Sequence, residues 1–283
     1  MSLIKLENVS QIFGFGDATT VALDQIDLDI KKGEFIAVMG PSGAGKTSLL
    51  NILGLITPPA KGLHTFLDQE MMRMSQSHLA KLRQQHIGFV FQKHNLLPNL
   101  TILDNVSLPL LYSVNLGFLK RVEIVKRLLS RLGIHKKEFL YPYQLSGGQI
   151  QRAAIARALI SQPTILIADE PTGNLDSSNS QLVMDILQGV NKEGLTIVIA
   201  THEPALTKYA DRIIYLKDGC VRVDQKLRKN QQIDLGKIHD AIKKQDMRRK
   251  NKQESAGDKE GASPAAKTAK VRKAKVRKIR NKK

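Results

Sequence analysis

The chain has 283 residues, 42% hydrophobic and 25% charged, a balance that excludes a wholly disordered, collagen-like or disulfide-scaffold protein and suits about two domains. One cysteine, Cys220, excludes an internal disulfide, and no Cys/His grouping has zinc spacing. The net charge of +18 is unevenly placed: residues 1–225 carry 23 Lys and Arg against 20 Asp and Glu, whereas 226–283 carry 21 against 6.

The opening residues lack a basic region followed by an apolar one, and no stretch nears the ~18 apolar residues of a spanning helix. An intracellular chain that does not itself cross a membrane is expected. Leu3–Val9 and Ile26–Ile30 alternate apolar and polar residues, as half-buried strands do. Phe35–Met39, Gly88–Phe91, Ile165–Ala168 and Thr196–Ala200 are short continuous apolar runs, which suit strands of a parallel sheet buried on both faces. Helical patterns lie between them at Lys46–Leu55, His78–Gln85, Phe118–Leu132, Gln149–Ile160 and Ser178–Asn191, predicting an α/β fold with a mostly parallel sheet. Over about 93–150 the strand signal vanishes, which predicts a helical subdomain inserted into the sheet domain. Met71, Met72 and Met74 read as core gap-fillers. Ile213–Leu216 and Val221–Val223 flank Asp218-Gly219 as a closing hairpin does. The expected division is a domain over 2–225 and a basic extension over 226–283. Gln245–Lys283 has no aromatic residue and cannot bury a core, so it reads as disordered.

Gly40 to Thr47 spells GPSGAGKT between a strand pattern and a helical one, the context that a phosphate-binding loop requires. Glycines at 40, 43 and 45 let the backbone wrap closely around phosphate, and the following helix N-terminus adds partial positive charge. Lys46 can reach the β- and γ-phosphates and Thr47 can ligate Mg²⁺. The candidate phosphate-binding residues are therefore Gly40, Pro41, Ser42, Gly43, Ala44, Gly45, Lys46, Thr47 and Ser48. Downstream, Asp169 and Glu170 end a buried strand pattern, at the edge where open α/β sheets bind ligands. Asp169 fits a Mg²⁺ carboxylate, and Glu170 fits the group that orients or deprotonates the attacking water.

Leu145-Ser146-Gly147-Gly148-Gln149, whose last residue lies 16 positions before Ile165, matches the LSGGQ signature of ATP-binding-cassette ATPases. Over about 2–225 the chain resembles that family, with five motifs in the family's order. The resemblance implies a P-loop ATPase core with an antiparallel β subdomain and a helical subdomain. It implies ATP and Mg²⁺ as ligands, with Gln92 as the Q-loop glutamine touching Mg²⁺ or the attacking water. His202 matches the switch histidine that bonds the γ-phosphate, and Asn174-Leu175-Asp176 resembles the D-loop. Ser146, Gly147, Gly148 and Gln149 would face the nucleotide held by a partner subunit; with one phosphate loop and one signature per chain, a homodimer is expected. Phe13 stands where the family usually stacks adenine on tyrosine, and it keeps the π-face.

Asn51–Leu55 followed by Pro58-Pro59, IGFVFQ at 87–92, NLLPNLT at 95–101, NVSLPLL at 105–111 and ADEPTGNLD at 168–176 look like the branch containing the MacB and LolD ATPases, with the cell-division ATPase FtsE a close relative. That likeness implies a macrolide-export or lipoprotein-release ATPase, peripheral on the cytoplasmic face of the inner membrane and driving a separate integral-membrane permease. An ATP-driven regulator without a transported substrate is the alternative. The permease would dock near Gln92 and Leu96–Leu103, although that apolar stretch also reads as internal packing. A nucleic-acid-directed cassette is disfavoured, because paired cassettes and long heptads are absent and the tail has no aromatics to stack bases. The last 17 residues hold ten basic side chains and no acid, and read either as a solvated extension or as an anchor to anionic lipid headgroups.

Overall fold

Two sheets with different strand directions organise the computed structural model, which describes residues 1–14, 18–111, 116–228 and, beyond those, 231, 233, 234, 236, 238, 240, 242 and 243. The smaller sheet is antiparallel, in the order β2 (Thr20–Lys31), β1 (Ser2–Phe13), β4 (Lys61–Phe66) and β5 (Gln69–Glu70). The larger runs β10 (Cys220–Lys226), β9 (Arg212–Lys217), β3 (Phe35–Met39), β8 (Thr196–Ala200), β7 (Ile165–Asp169) and β6 (Ile87–Val90). Its strands pair in parallel except for β10, which returns from β9 through Asp218 and Gly219, both left-handed as the predicted two-residue turn requires.

The continuous apolar runs sit in the sheet centre. Every residue of β3, β7 and β8 is buried, and alternate side chains feed two cores. Phe35, Ala37, Leu166, Ala168, Ile197 and Ile199 join a cluster with α3 (Ile102–Leu111), α4 (Phe118–Arg131), α5 (Gly147–Leu159) and α6 (Ser177–Lys192). Ile36, Val38, Ile165, Ile167, Val198 and Ala200 point the other way, toward α1 (Lys46–Leu53), α2 (Gln76–His86) and the antiparallel sheet.

Two sequence expectations need correction, and two strands were not expected. Gly88–Phe91 is not buried on both faces: β6 begins one residue earlier, lies at the sheet edge and alternates, leaving Phe89 and Phe91 partly exposed with their rings 4.4 Å apart. Of the three methionines, Met71 is buried, but Met72 is 41% exposed and fills no gap. Lys61–Phe66 and Gln69–Glu70 are strands that the polar run KGLHTF concealed.

Between β6 and β7 the chain is helical, as the vanishing strand signal predicts. Thr101 caps α3: its hydroxyl accepts from Asp104 N–H at 3.1 Å. Contact clustering separates Met1–Ile233 from Asp234–Lys283. In the first unit, Leu227 N–H still bonds the Asp211 carbonyl at 2.7 Å; in the second, Ile238 N–H bonds the Asp234 carbonyl one turn back. The expectation of disorder over 245–283 falls outside the described residues. Among the described residues no helix is long and apolar enough to cross a membrane.

His64 on β4, opposite Leu6 of β1, is 1% exposed, and its Nε2 has no hydrogen-bond partner. Burial holds its pKa down to about 4 from 6.5. Between those values the unfolded chain takes up a proton that the folded chain refuses, so stability present above pH 6.5 is lost as pH falls toward 4, by about 3 kcal/mol at the lower limit. Urea unfolding at a series of pH values should show this slope, and His64→Leu should flatten it. Equal slopes in both proteins would contradict the assignment.

Candidate functional site

The larger sheet gathers the candidate residues at the C-terminal ends of four adjacent parallel strands. Gly40–Thr47 follows β3, His202 follows β8, Asp169 closes β7 with Glu170 just beyond it, and Gln92 follows β6. Val90 pairs with Ala168, Asp169 with Ala200, and Ala200 with Val38, so Gln92, Glu170, His202 and Gly40 each stand two residues beyond a position in those paired rows.

The loop after β3 is held from behind. Gly219 N–H donates to the Ala44 carbonyl at 3.2 Å. At Gly45, φ is +100° and a Cβ would lie 2.4 Å from the Ala22 carbonyl oxygen, so both backbone angle and space demand glycine. Lys46 Nζ donates to the carbonyls of Gly40 and Pro41, each at 2.9 Å, which keeps its charge over the loop. Pro41, Ser42, Gly43 and Thr47 are exposed, Ala44 is buried, and Ser48 lies in the first turn of α1, which holds no acidic residue to offset its N-terminal charge.

The two carboxylates of β7 have different surroundings. Asp169, 9% exposed, accepts from the Thr47 hydroxyl at 2.8 Å. Burial pushes its pKa up and Glu170 adds to this, while the Thr47 hydroxyl and Lys46 oppose them. Glu170 turns away through a left-handed backbone, φ +47°, with its N–H on the Ala200 carbonyl at 3.0 Å. Its Oε2 accepts from Gln92 Nε2 at 2.8 Å, and its Oε1 lies 3.2 Å from His202 Nδ1. With Glu170 ionised, Nδ1 carries the proton and donates, leaving Nε2 for another partner. Three candidates that are 78 and 32 residues apart in the chain therefore meet at one carboxylate.

The signature stands apart: among the described residues, no hydrogen bond joins 146–149 to 40–48. Ser146 caps α5, accepting from Gln149 N–H at 3.4 Å, while Gln149 Oε1 accepts from Ser146 N–H at 3.1 Å. The helix therefore begins at Gly147, two residues before the expected start, and its geometry leaves the N–H groups of Gly147 and Gly148 without intrahelical acceptors. Gly148 packs against α6, where a Cβ would lie 2.2 Å from Asn179 Oδ1. That same Oδ1 accepts from Arg152 at 3.3 Å, and Asn179 Nδ2 donates to Asp176 at 2.8 Å. Asp176 caps α6, and the Asn179 backbone N–H, with the Ser178 hydroxyl and Asn179 amide, holds its pKa down at about 2. Phe13, the last residue of β1, is 47% exposed and pairs with Thr20.

Two residues that sequence reading passed over order the segment after Gln92. Asn105 is fully buried in α3; its side chain accepts from Leu97 N–H at 2.7 Å and donates to the carbonyls of Leu97, Leu100 and Thr101, each at 3.0 Å. Arg157 of α5 donates to the carbonyls of His94 and Asn95. An asparagine inside an apolar helical run was an available signal for Asn105. Arg157 had none, since arginine on a helix normally faces water.

The ABC transporter family model matches residues 23–173. The chain belongs to the ABC transporter family. It is an ATP-binding, ATP-hydrolysing cassette, 48% identical over 217 residues to the uncharacterized ABC transporter ATP-binding protein MJ1508 of Methanocaldococcus jannaschii, covering 77% of this chain and 96% of that one. It is 43% identical over 228 residues to the macrolide export ATP-binding/permease protein MacB of Pasteurella multocida; the match covers 81% of this chain but spans only 35% of that protein's length. Among solved structures, the dimeric post-hydrolysis state of the ATP-binding cassette MJ0796 from Methanocaldococcus jannaschii, bound to ADP and Pi, aligns with a TM-score of 0.76 at 40% identity, over 80% of this chain and 99% of that one.

The Gly148–Asn179 contact gives this cassette a test of its own. Gly148→Ala should displace Asn179 and break its bonds to Arg152 and Asp176, at about 1–3 kcal/mol. Urea unfolding would measure the loss. In an Asn179→Ala background the same substitution should cost clearly less; an undiminished cost would place the strain elsewhere.

Proposed function

We propose that this cassette is the ATPase subunit of a transporter of the macrolide-export or lipoprotein-release type, working as a homodimer at the cytoplasmic face of the cell membrane on a separate permease. The observation that carries the catalytic part is the Glu170 carboxylate held between the Gln92 amide and the His202 ring, one residue from the Asp169–Thr47 pair. Glu170 takes the proton of the attacking water, Gln92 sets that water's position, and His202 Nε2 faces the γ-phosphate. Lys46 and the N–H groups of the 40–47 loop hold the β- and γ-phosphates. Phe13 stacks on the adenine.

Mg²⁺ fits the oxygens present, because a hydroxyl and a carboxylate 2.8 Å apart are hard donors and this ion generally takes one or two carboxylates together with substrate phosphates. Thr47 and Asp169 would hold it, with Gln92 beside them. Bound there, it would neutralise charge developing on the phosphate oxygens. Ser146, Gly147, Gly148 and Gln149 present a helix N-terminus that, among the described residues, makes no hydrogen bond to its own phosphate loop, and it serves the nucleotide of a second copy. MJ0796 is a dimer in its solved structures, which supports this reading. The permease docks near Gln92 and Leu96–Leu103, where Leu97 is 48% exposed. The basic tail adds a peripheral hold on anionic lipid.

Glu170→Gln should retain ATP binding and slow hydrolysis by at least ~10²-fold; undiminished turnover would move the base elsewhere. Mixing Lys46→Ala with Ser146→Arg subunits should restore activity above either parent, because one site of each heterodimer then has both halves intact. Heterodimers that bind ATP but show no recovery would remove the shared-site reading. Deleting 245–283 should leave ATPase activity intact and weaken binding to anionic vesicles, a difference that ~0.5 M salt should erase by screening. Equal vesicle binding at low salt would leave the tail without a lipid role.

A further inference from the structure

The segment after Gln92 contains two consecutive left-handed residues, His94 with φ +55° and Asn95 with φ +51°. Residues bearing a Cβ seldom adopt this conformation, and a pair in succession persists only where the surroundings fix it. The Asn95 N–H folds back onto the Lys93 carbonyl, and the His94 N–H bonds the Phe91 carbonyl at 3.0 Å, so the chain reverses tightly just past Gln92. That reversal turns the carbonyls of His94 and Asn95 toward α5. Arg157 meets both, donating from one terminal nitrogen to His94 at 2.7 Å and from the other to Asn95. A planar guanidinium can grip two neighbouring carbonyls at once, whereas lysine offers a single point charge. Phe91, Gln92 and Lys93 lie directly between this grip and the end of β6, leaving few backbone torsions to absorb a displacement before it reaches the Gln92–Glu170 bond of 2.8 Å.

We infer that Arg157 is a positioning residue for hydrolysis: by clamping the His94–Asn95 turn it fixes where the Gln92 side chain meets Glu170. The inference rests on the catalytic reading of Gln92 and Glu170 given above. It also makes α5 the carrier of two tasks, with Ser146 and its neighbours at one end and the clamp on the Gln92 segment in its last turn.

The test uses the full chain with Arg157→Met and Arg157→Lys, each alone and combined with Gln92→Ala. Lys93 is exposed and immediately precedes the clamped turn, so trypsin cleavage after Lys93, identified by mass, reads the turn without reference to activity. Arg157→Met should accelerate that nick at least ~10-fold at unchanged global stability, with Arg157→Lys intermediate. The same variant should lower kcat about tenfold while leaving KM for ATP within about twofold, and should cost nothing further once Gln92 is already alanine. An unchanged nicking rate overturns the inference. So do equal kcat losses with and without Gln92, since Arg157 would then act by another route. If Gln92→Ala alone leaves kcat unchanged, the fault lies in the assignment of Gln92 made above, and the nicking rate alone decides whether Arg157 holds the turn.

Discussion

Parallel pairing of β6, β7, β8 and β3 is the constraint on which the rest of the site depends. Four segments distant in the chain acquire a common depth because their strands run the same way and pair in one register. In a sheet, a slip of one residue moves every side chain to the opposite face. Here the same slip in β6 would also displace Gln92 from Glu170. The register is protected by burial on both faces of the central strands, where Ile165, Leu166, Ile167, Val198 and Ile199 are all inaccessible. Packing energy that favours the fold thus also determines the distances among Gln92, Glu170 and His202.

The alternation of side chains along β7 explains why two neighbouring carboxylates differ. Asp169 follows the face of Ile165 and Ile167, which is the face of α1, so it meets Thr47. Glu170 would follow the face of Ala168, toward the helical core, and the left-handed turn at its own backbone brings it to Gln92 and His202 instead. Environment then separates the pair: one acid is buried against a hydroxyl, while the other, one-fifth exposed, is tied to an amide and an imidazole. Left-handed glutamate is conformationally costly, by about 1–3 kcal/mol, and its persistence here is supported by the bond from its N–H to Ala200.

Much of this was legible in the chain before any coordinates. The bounds of β3 and β8 are those expected, because their apolar runs are flanked by charge and glycine. The phosphate loop and the acidic strand end were visible for the same reason: chemistry and context agree within a few residues. β4 was less visible, since its run KGLHTF mixes polar with apolar; β6, with the sequence IGFV, was legible as a strand, but its place at the sheet edge was not. The meeting of Gln92, Glu170 and His202 could be named only through a family likeness; nothing local in the sequence links positions 78 residues apart. Arg157 escaped altogether. Nothing in its helix sequence marks it out, and its partners are backbone carbonyls that carry no residue identity to read.

The phosphate loop rests against the strand-turn at Asp218-Gly219 and against the β2 backbone at Ala22, with Lys46 bonded across its mouth. A loop braced on three sides loses its conformational freedom when the protein folds, long before a nucleotide arrives. Association then immobilises little protein, and the gain from each phosphate contact is not spent on ordering the receptor. The loop behaves as a fixed mould, and adjustments between nucleotide states fall on less firmly braced groups such as the His202 ring, whose side chain is 61% exposed. Recognition and motion thereby reside in different parts of one sheet edge.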